Sequence, residues 1–485
     1  MDAELGDDDI AYMDVAALTS AFTSGALSPV EVAESLLRRI ERLDGAINAV
    51  VHVDRGYTLD MARAAEARYR ASAPLSAIDG APVTIKDLCR VAGLPMRRGS
   101  AAFDAGVAID WDTPAVARLR EAGAVFLAKT ATPDAGCKVV TRSLVHGVTA
   151  NPYDLTRTPG GSSGGASAAL AAGFGVLAVG TDGAGSLRIP ASSTNVFAIK
   201  PTFGRVPTLP LGADIPLPVV GPMARTVADA ATMLGVMSRP DPRDPYAWPV
   251  PFVMPTDLAD PDLRGLRIAA SARLGCTAPL IDQEVDQLVA EAGPLLADAG
   301  ATLSLADPSW PVDPAVPFAV FWETAYADTA DGFPEERRRR LDPLILSAAE
   351  RGRRHGMAAI FRAINQRIAL ACASAEFFTR FDLLIGPIMP VAPYSIERDT
   401  PEGYGDEDWS WCPYAYPWNL TGQPAASVPI GFTRAGLPVG VQIIGRNGAE
   451  ETVLRAAAAI ERRRPLHLRR PALGKISTPT KDISP

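Results

Sequence analysis

The hydrophobic positions change period along the chain. Val32, Leu36, Leu37, Ile40 and Leu43 recur at helical spacing. Ser28-Pro29-Val30-Glu31 stands just before them: a hydroxyl to cap, a proline for the first turn and a glutamate three residues on. A helix therefore starts there, and a second is expected over 59–71. From about residue 80 the pattern shortens. Apolar runs at 81–86, 124–128, 176–179 and 198–200 read as strands, while 114–122, 166–172 and 227–236 read as helices, the last capped by Thr226. Such alternation predicts an α/β fold, a sheet covered by helices on both faces.

Residues 238–264, rich in proline and aspartate, read as a long surface connection. A strand at 266–270 and a helix at 281–299 follow. Residues 305–380 are mainly helical in pattern and carry Phe318, Phe321, Trp322 and Tyr326. Strands at 381–385 and 439–444 and a helix at 450–461 complete the reading. Neither an internal repeat nor a linker between independent units is visible, which favours one large domain with a helical part inserted or appended.

The 485 residues, 47% hydrophobic and 21% charged, supply ample material for one large core. A net charge of −8 argues against nucleic acid as a partner, since phosphate binding needs a basic footprint. The basic run Arg337 to Arg340 follows Glu335 and Glu336 and reads as a solvated helix face, with Arg351, Arg353 and Arg354 nearby. The acidic start MDAELGDDDI lacks the features of a signal peptide, and the longest small and apolar stretch, 166–179, is too short to span a bilayer. The expectation is a cytoplasmic protein with no membrane partner. Cys89, Cys137, Cys276, Cys372 and Cys412 are scattered and expected to be free. The four histidines form no ligand cluster, so no metal site is expected.

The chemistry concentrates in Thr158-Pro-Gly-Gly-Ser-Ser-Gly-Gly-Ala-Ser167 and Gly180-Thr-Asp-Gly-Ala-Gly-Ser-Leu-Arg-Ile-Pro190. A phosphate-binding loop would need a GK[ST] ending or a GxGxxG run, and neither is present. A nucleophile elbow fits two overlapping GxSxG matches around Ser162 and Ser163, but no strand precedes them and the downstream histidines, His355 and His467, sit among arginines. The third reading joins Ser162, Ser186 24 positions later, and Lys86 at the end of an apolar run. A serine hydroxyl needs a base, and lysine serves only when neutral, which burial can bring about. Asp87 beside Lys86 works against this, because a close carboxylate favours the charged amine. Glycines 183 and 185 leave backbone N–H groups free to face a developing oxyanion.

These residues closely resemble the amidase signature family. The match runs through Gly80-Ala-Pro-Val-Thr-Ile-Lys-Asp87, Ala92-Gly-Leu-Pro95, Gly99-Ser100, the block from Thr158 to Pro190, and Gly221-Pro-Met-Ala-Arg-Thr-Val-Ala-Asp229. It resumes at Tyr416-Pro-Trp-Asn-Leu-Thr-Gly-Gln-Pro-Ala-Ala-Ser427 and Gly436-Leu-Pro-Val-Gly-Val-Gln-Ile-Ile-Gly445. The resemblance implies a single large α/β/α domain with a mixed central sheet. In that reading 1–75 is an N-terminal helical segment packed on the core, 76–240 is the signature core, and 241–485 is the rest of the same domain, with a substrate-side helical region over 305–380.

It also implies an amidase that hydrolyses carboxamides through an acyl-enzyme, without a cofactor. Ser186 is the implied nucleophile, Lys86 the base, and Ser162 the proton bridge, following a cis peptide bond from Gly161. The backbone N–H groups of Gly183, Ala184, Gly185 and Ser186 form the implied oxyanion hole, and Thr181, Asp182 and Arg188 brace it. Ala184 departs from the pattern, which has a second glycine there. If that position required a positive φ, alanine would be strained. The segments 132–138 and 146–152 look like those of stand-alone bacterial amidases, aryl-acylamidase and cyclic-oligoamide hydrolase relatives among them. The alternatives are the glutaminase subunit of a tRNA-dependent amidotransferase and a silent binding protein of the same fold. The expected substrate is a small amide in a mostly apolar acyl pocket near 132–138, with Cys137, Phe318, Trp322, Trp418 and Gln423 as candidate walls, and a homodimer is an open expectation.

Overall fold

The computed structural model describes residues 6–103, 107–210, 217–250, 252–405 and 409–475; the extreme ends of the outer two segments expected above lie outside these. The strands are β1 (Val50–His52), β2 (Pro82–Lys86), β3 (Val125–Thr130), β4 (Arg142–Ser143), β5 (Gly147–Val148), β6 (Leu177–Asp182), β7 (Phe197–Lys200), β8 (Val219–Ala224), β9 (Arg267–Ala270), β10 (Thr302–Leu305), β11 (Leu383–Pro387), β12 (Ala425–Phe432) and β13 (Pro438–Gly445). All but the small hairpin β4–β5 form one sheet of 11 strands, in the order β1-β3-β2-β6-β8-β7-β12-β13-β11-β9-β10. The sheet is mixed: β3, β2 and β6 run parallel, β6 through β11 pair antiparallel, and β11, β9 and β10 run parallel again.

Both faces are buried, and side-chain alternation shows why. Leu177 and Val179 of β6 enter one core with Phe197 and Ile199 of β7, while Ala178 and Ala198 enter another on the opposite side. Likewise Leu383 and Ile385 face the first core and Leu384 the second side. Helices Pro29–Ile47, Val227–Met237 and Glu450–Arg463 supply the first core. Helix Pro29–Ile47 begins as the sequence indicates, with Ser28 and Glu31 in a reciprocal capping box. Helices Gly164–Ala171, Arg188–Ser193 and Ala315–Asp331 bring apolar side chains to clusters on the other side. Among the described residues no helix is long and apolar enough to cross a membrane.

Several elements differ from the sequence reading. The N-terminal segment is not purely helical, since β1 adds an edge strand to β3. The helix expected over 281–299 is two, Gln283–Ala290 and Ala292–Ala297. Strands β8 and β12 have no counterpart in the sequence reading, and each holds a proline, which normally disfavours a central strand. Pro222 nonetheless pairs with Val179, and Pro429 stands where the β12–β13 register shifts.

Candidate active site

Lys86 is the last residue of β2, a strand buried throughout, and it has no exposed surface. Its Nζ meets three hydroxyls: Ser162 Oγ at 2.7 Å, Ser163 Oγ at 2.9 Å and Thr181 Oγ1 at 2.9 Å. Burial lowers its pKa to about 7, against the more distant pull of Cys89 and Asp182. Asp87 does not oppose this. Its side chain turns away, one oxygen pairing with Lys129 Nζ at 3.1 Å and the other accepting the Arg97 N–H at 3.1 Å.

Ser162 and Ser163 lead directly into helix Gly164–Ala171. The Gly161–Ser162 peptide is cis. Gly161 passes so close to residue 140 that a Cβ would lie 2.6 Å from the Val140 carbonyl carbon. The two serines differ in their bonds. Ser163 Oγ donates to the Thr181 carbonyl at 3.1 Å and accepts the Thr181 N–H at 3.3 Å, which ties it to β6. Ser162 Oγ faces Gly136, where a Cβ would approach to 3.3 Å.

Ser186 lies on the turn between β6 and helix Arg188–Ser193 and is 4% exposed. Its carbonyl accepts the Ser163 N–H at 3.2 Å, so the two serine loops are bonded to each other. Asp182 organises this turn. Its carboxylate accepts the N–H groups of Gly185 at 2.6 Å and Leu187 at 3.2 Å, and pairs with Arg188 Nε at 2.9 Å. Burial alone would raise the Asp182 pKa, but Arg188 holds it well below the usual carboxylate range. Arg188 also donates to the Ala415 carbonyl, Gln442 Oε1, Asn419 Oδ1 and Asp182 Oδ1, so all five of its N–H donors are occupied.

Two expectations for the oxyanion loop change. The Gly185 N–H is taken by Asp182, which leaves Gly183, Ala184 and Ser186 as candidate backbone donors. The residue in the left-handed region is Gly185, at φ 112°, and Ala184 has no positive φ. Alanine is therefore unstrained at 184, where it is buried against the apolar cluster of Cys137, Ile189, Phe318 and Trp322.

That cluster runs from the nucleophile turn to two cavities. Trp322 lies against the turn, where a Cβ on Gly183 would be 3.4 Å from its Cζ3. Phe318 is fully buried, stacked on Trp322 and Tyr416 with centroids 5.3 and 4.6 Å apart. A small cavity of about 40 Å³ is lined by Cys137, Val139, Trp322, Leu344, Trp409 and Trp411 among others. A larger one of about 830 Å³ has walls from Cys276, Trp310, Glu323, Trp409 and Tyr416, and Arg351 borders both. None of Lys86, Ser162 and Ser186 lines either cavity.

Of the candidate walls, Cys137 and Trp322 line the small cavity, and Phe318 backs it. Trp418 and Gln423 line neither. Trp418 is fully buried in a separate cluster, against Trp310, with its indole N–H given to the Tyr414 carbonyl at 3.0 Å. Gln423 is 2% exposed. Residues the sequence reading missed include Trp409, Tyr416 and Arg351. Arg351 Nε bonds Glu323 at 2.6 Å, and Glu323 also holds His355 at 2.7 Å.

The family model for amidases matches residues 31–454. The chain belongs to the amidase family. It is an enzyme of the amidase signature type, and its reaction is hydrolysis at an amide C–N bond. It is 34% identical over 468 residues to an acylamidase of Rhodococcus erythropolis, covering 95% of this chain and 97% of that one. It is also 34% identical over 493 residues to a glutamyl-tRNA(Gln) amidotransferase component of Chloroflexus aggregans, covering 96% and 99%. The fold is similar to that of a bacterial aryl acylamidase of the amidase signature family, with a TM-score of 0.89 at 29% identity, over 96% of this amidase and 99% of that chain. The fold class and the family expected from the sequence both stand.

Proposed function

We propose that this amidase cleaves small carboxamides through an acyl-enzyme on Ser186, with Ser162 relaying protons to and from Lys86. The observation that carries the reading is the set of partners around Lys86: three hydroxyls and, among the described residues, no carboxylate, on a side chain with no exposed surface. A neutral amine has two hydrogens and one lone pair, so one of its three hydroxyl neighbours must donate to it. Ser163 has its hydrogen placed on the Thr181 carbonyl, and Ser162 makes the shortest contact. This supports Ser162 as the bridge.

The Ser186 oxygen attacks the amide carbon as its proton passes to Ser162, whose own proton passes to Lys86. The oxygen of the tetrahedral adduct accepts from backbone N–H groups among Gly183, Ala184 and Ser186. The C–N bond then breaks as the proton returns along the same path to the departing amine. Water repeats the sequence and releases the carboxylic acid. No step calls on a cofactor.

Labelling with a fluorophosphonate, followed by peptide mapping, tests the nucleophile. The expected product carries the label on Ser186, and Ser186→Ala abolishes both labelling and turnover. A label on another serine, or turnover that survives in Ser186→Ala, overturns the assignment. A substrate panel tests the stand-alone reading: hydrolysis of several unrelated amides is expected, and glutamine as the sole productive amide would favour the amidotransferase component instead. Sedimentation tests the open expectation of a homodimer.

A further inference from the structure

The geometry points to the indole N–H of Trp322 as a recognition group for a neutral hydrogen-bond acceptor on the acyl part of the substrate, such as an ether or carbonyl oxygen a few bonds from the scissile carbon. The inference rests on the acyl-enzyme reading above and adds the substrate class to it.

Trp322 is 8% exposed, and its Nε1 is buried without a hydrogen-bond partner. An indole N–H in that state usually finds an acceptor, because leaving it unpaired away from water is unfavourable. Trp418 shows the ordinary solution in the same molecule, its N–H given to a backbone carbonyl. Trp322 has no such acceptor, and its side chain is one wall of the small cavity. Two of the cavity's walls adjoin residues next to the candidate site. Cys137 follows Gly136, which faces Ser162 Oγ, and Trp322 covers Gly183 in the Ser186 turn. A group entering there would extend from an acyl carbon on Ser186.

The other walls define what fits. Val139, Leu344, Ala348, Trp409 and Trp411 are apolar. The charged residues at the rim are already matched: Lys138 pairs with Asp342 at 2.9 Å and Asp399 at 2.7 Å, and Arg351 with Glu323. Neither of these two rim cations awaits a carboxylate, so the acceptor is neutral. A volume of about 40 Å³ suits a short arm rather than a ring.

The test compares two acyl groups of one shape. Methoxyacetyl 4-nitroanilide carries an ether oxygen where butanoyl 4-nitroanilide carries a methylene. The ratio of their kcat/KM values is measured for the wild-type enzyme and for Trp322→Phe. The ratio is expected to fall about tenfold in the variant, the effect of one lost hydrogen bond. An unchanged ratio overturns the proposal and leaves Trp322 as a packing residue whose N–H meets a trapped water. The rate of fluorophosphonate labelling of Ser186 in Trp322→Phe reports separately on the nucleophile turn. Should the variant lose that labelling, competitive inhibition of the wild-type enzyme by methoxyacetone and by 2-pentanone decides, with equal inhibition overturning the proposal. Failure of the acyl-enzyme reading has a different signature, namely anilide turnover that persists in Ser186→Ala whatever the ratio does.

Discussion

Strands β2 and β3 lie side by side, and each buries a lysine near its end. Lys86 and Lys129 are both fully buried. Lys129 pairs in register with Ile85 and so shares its side of the sheet, opposite to Lys86. There it meets the Asp87 carboxylate at 3.1 Å and the Cys89 carbonyl at 3.0 Å. Lys86 meets hydroxyls only. Two residues of one type at equal depth thus have opposite surroundings, and the single-residue alternation of a strand separates them. The carboxylate next to Lys86 in sequence serves the other lysine. Equal depth does not fix what a lysine meets; the face of the strand does.

The largest expected effect removes the proposed chemistry. Ser186→Ala and Lys86→Met should each lower kcat by about 10⁴-fold, as losses from a nucleophile–base unit do. Lys129→Met serves as the matched control. It should unfold at much lower urea concentration, by about 3–5 kcal/mol, because it leaves Asp87 charged, buried and without its cation. Lys86→Met should stay within about 2 kcal/mol of wild type at neutral pH, since only hydroxyls lose a partner. Equal destabilisation by the two variants, read from denaturant melts, would erase the distinction between the lysines.

The pH dependence sharpens the same comparison. With a folded value of about 7, Lys86 should make kcat/KM rise with pH up to that midpoint, about tenfold per unit below it, and level off above. Stability follows with a definite sign. Between about 7 and the free value of 10.5 the unfolded chain holds a proton on this lysine that the folded chain lacks, so stability rises with pH across that window. Lys200 is lowered to about 7 as well, chiefly by burial, so the wild type must be read against Lys86→Met. The difference between the two should rise with pH only if Lys86 is the titrating group.

How much of this was legible follows the same physics. Ser162 and Ser186 stand in glycine-rich segments whose composition is itself a signal, whereas Lys86 ends an ordinary apolar run and is singled out by the resemblance to the family. The path of the Asp87 side chain could not be read from the chain, because it depends on which face of the sheet the residue meets and on what β3 places there. The substrate side was harder still. Phe318 and Trp322 lie on one helix, and sequence pattern marked both as aromatic without saying which would be buried behind the other. Trp409 and Tyr416 come from a connecting segment without periodicity and reach the site only through tertiary packing. Trp418, two residues from Tyr416, turns the other way into a different core.

The nucleophile turn offers the last and finest contrast, between two adjacent small residues. A Cβ at Gly185 would lie 2.6 Å from the Ala415 Cβ and 2.8 Å from Ile189 Cδ1, on a backbone at φ 112°. Gly185→Ala should therefore lower both stability and kcat, because the turn must shift and Asp182 would lose its hold on the Gly185 N–H. Ala184→Gly restores the residue the family pattern carries, yet the backbone there does not need it. Its expected effect is a stability loss of about 1 kcal/mol, from a buried methyl and a freer unfolded chain, with kcat unchanged within about twofold. Denaturant melts and steady-state kinetics on the pair read both quantities. A large gain in kcat for Ala184→Gly would show that alanine holds the N–H groups away from the oxyanion, and the conformation described for residue 184 would then not be the one in which the reaction occurs.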